Sequence, residues 1–198
     1  MKIGFTLKPN NGNILDFEKQ LSHLEEIEAG SAEIPLYELD VISGKKIIKD
    51  ELNLLNKTIQ NSNLQFSIHG SMSVNLLDEE YLSDHLEVLR KEIEVCSALN
   101  ANILVTHFGH TPVEVSKNHQ KYKDLINIQN EEYFKIAEVA KQNGVKLCIE
   151  NIFPYTNLHF TALPSEVSKN ISEINHPNAR TTIAVSYTHL TLPTNREV

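Results

Sequence analysis

The chain has 198 residues and a formal net charge of −8, a size that fits one domain with a sizeable core. No run approaches the roughly 18–20 apolar residues of a membrane span, and no Lys/Arg cluster offers the basic face that duplex DNA requires. The start, MKIGFTLK, has no signal-peptide layout, and Cys96 and Cys148 lie in apolar settings. We therefore expect a cytoplasmic protein with no membrane partner and, on charge, no nucleic-acid partner.

Strands and helices are predicted to alternate along the chain. Apolar runs predict strands, and apolar residues at steps of three and four predict helices. The predicted strands are Ile3–Leu7, Ser31–Pro35, Leu64–His69, Asn102–Thr106, Val145–Ile149 and a sixth beginning at Thr181. The predicted helices run over Ile14–Ala29, Ile48–Ile59, Leu82 to near Asn100, about Asn130–Gln142, and Leu163 to near Asn175, with Pro154 as a break before the last one.

This alternation predicts an α/β fold in which helices cover a parallel sheet. Open doubly wound sheets and closed barrels share the pattern, so alternation alone does not decide between them. A full barrel has eight units in roughly 250 residues. At that rate the chain before Ala184 holds about six units, which fits either an open six-unit sheet or a shortened barrel.

Three predicted strands end on a side chain that can bind a metal or transfer a proton. They are His69, His107 and Glu150, and the carboxyl ends of parallel strands converge on one crevice. The alternative for each histidine is a buried ring bonded to the backbone, and for Glu150 a lysine partner or a backbone cap. Glu33, in the second strand, could meet a substrate hydroxyl or a neighbouring basic side chain.

The remaining polar residues are given simpler roles. His110 is expected in a solvated loop, and Asn151 is expected to satisfy loop backbone groups. The other histidines on helices or turns are expected at the surface; they are His23, His85, His119 and His176.

Five segments together resemble the xylose-isomerase-like TIM barrel superfamily. They are AEIP in the second strand, SIHG with the following VNLL, LNANILVTHFG, QNGVKLCIEN and NHPNARTTIA. This superfamily includes sugar phosphate isomerases and epimerases and the endonuclease-IV-type enzymes. The resemblance implies an incomplete (β/α)8 TIM barrel over residues 1–184, with about six βα units present.

The resemblance also implies roles for the residues at the strand ends. Glu150 would bind a divalent metal (Mn, Mg, Co or Zn) and act as the catalytic base. His69 and His107 would be metal ligands in the endonuclease branch and would contact substrate in the isomerase branch. Glu33 is assigned to substrate binding.

The sequence departs from the family after the sixth strand. There the family presents a pattern like LDVGH, whereas this chain reads AVSYTHLTLPTNREV. We interpret residues 185–198 as a non-native tail and His189 as a coincidence. The last two strands, with a further metal histidine and a final glutamate that returns the proton, would then be absent. We therefore expect unpaired first and sixth strands, a tendency to aggregate and no turnover by this chain.

The function predicted for the parent protein is a metal-dependent sugar (phosphate) isomerase or epimerase that acts by proton transfer next to a carbonyl. Its substrate would be a small polyol, ketose or sugar phosphate, and a homo-oligomer is left open. Two alternatives remain: an endonuclease-IV-like enzyme that cuts DNA at abasic sites, and a non-catalytic barrel that only binds its ligand.

Overall fold

The computed structural model of the chain describes residues 3–152 and 157–184. Its central feature is a parallel sheet whose six strands lie side by side in chain order. The strands are β1 Gly4–Thr6, β2 Ser31–Pro35, β3 Gln65–His69, β4 Ile103–His107, β5 Lys146–Glu150 and β6 Ala179–Thr182. The helices that follow the first five strands are α1 Ile14–Glu26, α2 Lys49–Ile59, α3 Leu82–Ala98, α4 His119–Gln142 and α5 Pro164–Ile174.

The helices begin and end where local chemistry satisfies their free backbone groups. The Asn13 side chain accepts a hydrogen bond from the Leu15 backbone N–H at the start of α1. At the start of α5 the Glu166 carboxylate accepts from the Leu163 N–H at 3.0 Å. The same helix ends at Asn175, whose left-handed φ of 49° is typical of a C-terminal cap.

The apolar core lies between the sheet and the helices. Ile68 and Leu104 at the centre of the sheet, and Leu89 and Ile93 on α3, are all fully buried. Burying an aliphatic side chain of this kind contributes about 1.5–3 kcal/mol. The dense packing behind β3, β4 and β5 keeps the carboxyl ends of these strands in a defined arrangement.

Three predicted boundaries were wrong. Helix α1 ends at Glu26, three residues before the predicted end at Ala29. Helix α4 begins at His119, eleven residues before the predicted start at Asn130, and the Asn118 side chain caps it by accepting from the Lys121 N–H. Its first turns, HQKYKD, are polar and carry no apolar period, so the pattern revealed only the buried half. The sixth strand begins at Ala179 rather than Thr181, because Ala179 already pairs with Leu147 of β5.

The loops that follow the strands contain several short elements. They are antiparallel ribbons of Ile42–Ser43 with Lys46–Ile47 and of His110–Pro112 with Leu158–Phe160, a helix at Val113–Ser116, and 3-10 turns at Asn10–Gly12 and Leu36–Glu38. The ribbons and the helix at Val113–Ser116 were not predicted, since two to four residues are too few to show a period. The second ribbon ties the loop after β4 to the loop after β5.

The sheet is open at both ends in the part of the chain that the structure describes. There β1 pairs only with β2, and β6 pairs only with β5. Six parallel strands with their helices correspond to a truncated TIM barrel, as the sequence predicted. Pro154, residues 185–198 and His189 lie outside the described residues. Cys96 and Cys148 are free thiols, and across residues 3–152 and 157–184 no helix has the length and apolar character to cross a membrane.

Candidate metal centre at the ends of three strands

The three predicted ligands meet at the carboxyl ends of neighbouring strands. His69 ends β3, His107 ends β4 and Glu150 ends β5, and His107 is directly paired with Glu150 in the sheet. The Glu150 Oε2 atom lies 3.4 Å from His69 Nε2 and 3.5 Å from His107 Nε2. The two imidazole rings meet edge to face, with their centroids 5.0 Å apart. One carboxylate oxygen therefore faces both imidazoles.

The spacing of these atoms fits a shared metal ion. Their ligand atoms all lie within 4.8 Å of one another, and two ligands about 2.1 Å from one ion in tetrahedral geometry stand roughly 3.4 Å apart. Strong charge-assisted hydrogen bonds are shorter, about 2.7–2.9 Å. Two imidazoles and a carboxylate are also a donor set that Zn, Mn and Co accept.

The backbone orients the His69 ring. Its Nδ1 atom lies 3.0 Å from the Gly70 carbonyl oxygen, so an Nδ1–H can donate there. That leaves the lone pair of the neutral ring on Nε2, the nitrogen that faces Glu150. Metal-binding histidines commonly have such a partner on the second nitrogen.

The site favours the charged form of Glu150. Burial alone would raise the pKa of this carboxyl, but the adjacent imidazoles of His107 and His69 lower it to about 2. Burial likewise opposes protonation of His69, yet its contacts with Glu150 and the Gly70 carbonyl and the charge of Glu33 leave its pKa above 6.5. Without a metal, a protonated His69 and an ionised Glu150 therefore stabilise each other.

Glu33 and Tyr37 border the same site. Glu33 is partly buried in β2, accepts a hydrogen bond from the Thr6 hydroxyl at 3.0 Å and acts on His69 through its charge. The Tyr37 ring meets the His69 ring edge-on, with a centroid separation of 5.4 Å. Glu33 is thus close enough to the three strand ends to influence them, without being one of the grouped ligands.

Sequence reasoning missed the buried polar side chains behind the histidines. Glu92 on α3 and Gln129 on α4 are 1% and 0% exposed, and each accepts a backbone N–H of a strand-end loop. A signal was present, because Glu92 follows Leu89 by three residues and Gln129 follows Leu125 by four. Both positions therefore fall on the apolar, core-facing side of their helix.

The expectations for the other histidines and Asn151 were met only in part. Asn151 does serve the loop backbone, donating to the Ala162 carbonyl and accepting from the Ala184 N–H. His110 was wrongly expected in solvent: it is half-buried against Phe160, with a ring-centroid distance of 4.9 Å. His176 was wrongly placed at the surface, since it is buried and contacts Glu138 at 3.2 Å.

Two of the remaining histidines follow the prediction. His23 and His119 are exposed, as expected for helix-surface residues, whereas His85 is partly buried and lies 3.6 Å from Asp78. His85 lies on α3, where apolar periodicity does not reveal a polar ring packed at the helix margin. His110 and His176 lie outside the helices, and their burial depends on contacts with residues distant in sequence.

The family profile described as Xylose isomerase-like TIM barrel matches residues 21–191. The chain belongs to this family. No curated protein matches the sequence. The profile match extends seven residues past Ala184, the predicted domain end.

Solved structures show the same fold over nearly all of this chain. They include a D-tagatose 3-epimerase-like protein (TM-score 0.72, 16% identity), D-allulose 3-epimerase from Methylomonas sp. (0.75, 17%) and an L-ribulose 3-epimerase (0.73, 14%). They cover 95%, 96% and 97% of this chain. The chain in turn spans only 66%, 65% and 63% of theirs, so it corresponds to about two thirds of such a barrel.

Proposed function

We propose that this chain carries the metal-binding part of a sugar or sugar phosphate isomerase or epimerase. The observation that carries the proposal is the single Glu150 oxygen faced by the Nε2 atoms of His69 and His107. A buried carboxylate and two buried imidazoles at the carboxyl ends of parallel strands occupy the place where TIM barrels perform their chemistry.

The proposed substrate class is a ketose, polyol or sugar phosphate. The structural neighbours include ketose 3-epimerases, one of which was crystallised with D-allulose and another with D-tagatose. Epimerisation at the carbon next to a carbonyl requires removal and return of a carbon-bound proton. A carboxylate at such a site can remove that proton.

Each residue at the strand ends is proposed to have its own role in this reaction. A divalent cation held by Glu150, His69 and His107 would polarise the substrate carbonyl. Glu150, whose pKa is already low in the metal-free site, would stay ionised beside the cation and can accept the proton on the carbon next to that carbonyl. Glu33 can accept a hydrogen bond from a substrate hydroxyl. His69 and His107 serve as ligands or, as in the isomerase branch, as substrate contacts.

Turnover by this chain alone is not expected. The resemblance assigns the return of the proton to a glutamate of an eighth unit. The chain should therefore bind a cation, and weakly a ketose, without interconverting epimers.

Calorimetric titration of the metal-free full chain with Mn²⁺ and Zn²⁺ tests the proposal. We expect one ion per chain, with affinity falling at least 100-fold in Glu150→Gln and unchanged in His119→Gln, a control on the exposed start of α4. A chain that takes up no ion, or a Glu150→Gln chain that binds as wild type does, would overturn the proposed function. Ketose binding without any metal would instead identify the non-catalytic barrel.

One observation favours the endonuclease-like alternative. In that branch both strand-end histidines are metal ligands, and here both rings do present Nε2 to the same carboxylate oxygen. The net charge of −8 opposes DNA binding. A gel assay of the intact parent protein with a duplex containing one abasic site should show no incision above a chelator control; metal-dependent incision would make this alternative the correct one.

A further inference from the structure

Glu92 is a buried carboxylate for which the proposed chemistry has no direct use. Its Oε1 atom accepts the Ser71 backbone N–H at 2.5 Å, while its Oε2 atom is buried with no hydrogen-bond partner among the residues that the structure describes. Burying a carboxylate in this way is unfavourable, and burial raises the pKa of Glu92 to about 7. Because burial of the Glu92 carboxylate lowers stability, we expect this side chain to have a role in the residues that it contacts.

It points at the peptide unit that orients His69. The Gly70–Ser71 peptide presents its N–H to Glu92 and its carbonyl oxygen to His69 Nδ1, 3.0 Å away. Because a peptide unit is planar and rigid, fixing its N–H also fixes its carbonyl. Hydrogen bonds in such a chain polarise one another, so the carboxylate strengthens the carbonyl as an acceptor for the ring.

The loop is built around this contact. A Cβ atom at Gly70 would lie only 2.6 Å from Glu92 Oε2, so no other residue fits without displacing the carboxylate. The neighbouring loop repeats the design with a neutral side chain: Gln129 Oε1 accepts the Gly109 N–H at 2.6 Å, two residues after His107. An amide oxygen is thus sufficient to hold such a loop.

We propose that Glu92 is a positioning residue, which holds the Gly70–Ser71 peptide so that the Gly70 carbonyl accepts the His69 Nδ1–H and the His69 Nε2 atom faces the candidate metal centre. This inference deepens the proposed function and rests on it where metal binding is concerned. The chain of contacts runs from the Glu92 carboxylate through one peptide unit and the imidazole to the candidate metal centre.

The experiment uses the full chain as wild type, Glu92→Gln and Glu92→Met, with Glu94→Met as the matched control. Glu94 lies on the same helix, is exposed and pairs with Lys91. Mn²⁺ affinity should fall about 10–100-fold in Glu92→Met, the range for partners that orient metal ligands. It should stay within about threefold of wild type in Glu92→Gln, which keeps an acceptor for Ser71, and in Glu94→Met.

A readout without metal separates this proposal from the proposed function. Long-range ¹⁵N spectra of the histidine-labelled, metal-free chain are recorded in a Glu150→Gln background, where no carboxylate competes for a proton on Nε2, and His69 is assigned through His69→Gln. They should show the Nδ1–H form at high pH both with the wild-type Glu92 and in Glu92→Gln. Glu92→Met should show a mixture of both neutral forms. If wild type binds no Mn²⁺, the function fails, but the His69 spectra still test Glu92.

A second variant covers the case in which Glu92→Met does not fold. Gly70→Ala places a methyl group against the Glu92 carboxylate and so disrupts the same contact from the loop. It should reproduce both the loss of Mn²⁺ affinity and the mixture of neutral His69 ring forms. The proposal is overturned if His69 keeps its wild-type ring form and Mn²⁺ affinity in the folded variants, or if Glu92→Gln is as impaired as Glu92→Met.

Discussion

At the scale of single residues, Glu92 makes the stability of the fold fall as pH rises. Its pKa is about 7 in the folded chain, against 4.5 for an ordinary glutamate. The native state therefore binds more protons than the unfolded state between these values, and stability is lost over that window. The difference of about 2.5 pKa units corresponds to roughly 3 kcal/mol.

This predicts how Glu92→Gln compares with wild type. The unfolding free energy of the variant, relative to wild type, should increase by up to about 3 kcal/mol from pH 4.5 to 8 and then level off. Urea unfolding at several pH values measures it, with Glu94→Gln as a control that should track wild type. A difference that is flat with pH would show that Glu92 is ionised without penalty.

The contact between His69 and Glu150 predicts that the pKa of His69 falls when Glu150 is replaced by a neutral residue. In wild type the contact with Glu150 overcomes the effect of burial and raises the pKa of His69. In Glu150→Gln the negative charge is gone while burial, the Gly70 carbonyl and the charge of Glu33 remain, so the pKa of His69 should fall relative to wild type. The Hε1 resonance of the metal-free chain, followed by NMR against pH, reports this value; an unchanged midpoint would mean that another group sets it.

At the scale of elements, β1 is an exposed edge of the sheet that the described residues form. Ile3, beside β1, is 65% exposed, and Phe5 within β1 is 47% exposed. An open strand edge with apolar neighbours is a template for pairing with another chain. The predicted tendency to aggregate therefore has a defined location.

Ile3→Lys should reduce self-association, because a charge beside the edge disfavours pairing with a second copy. Light scattering across a concentration series measures the effect. Leu54→Lys is the matched control, since Leu54 is also an exposed apolar residue, 42% exposed, but lies on α2. Equal improvement by both variants would assign the effect to net charge rather than to the edge.

Whether an element could be predicted from the sequence depended on the pattern of apolar residues within it. β3, β4 and β5 are apolar runs bounded by polar residues, and the structure places them within a residue or two of the predicted bounds. The start of α4 at His119 escaped prediction because its first turns are solvent-facing and polar. The short ribbons depend on contacts between distant loops, which no local pattern encodes.

At the scale of the whole molecule, the domain boundary at Ala184 stays a prediction. The Asn151 side chain accepts the Ala184 N–H at 2.8 Å, so a chain ending at residue 184 retains that contact. We expect residues 1–184 to melt within about 2 °C of the full chain and to bind Mn²⁺ equally. A markedly lower midpoint would show that residues 185–198 contribute to the fold.

The sequence predicted which three residues form the candidate site but not the distances and contacts between their side chains. Alternation of strands and helices implied that His69, His107 and Glu150 end neighbouring parallel strands, and hence face one crevice. The 3.4 and 3.5 Å separations, the shared oxygen and the Glu92 contact depend on side-chain rotamers and on packing between helices. These are long-range properties that strand-end spacing does not contain.

The three candidate ligands come from adjacent strands, β3 to β5, so their arrangement depends on the pairing of these strands rather than on ring closure. New chain termini opened outside residues 65–150 should consequently leave the centre intact. Reassembly with a second, separately expressed piece would then be a practical way to add strands to the sheet that residues 3–152 and 157–184 form.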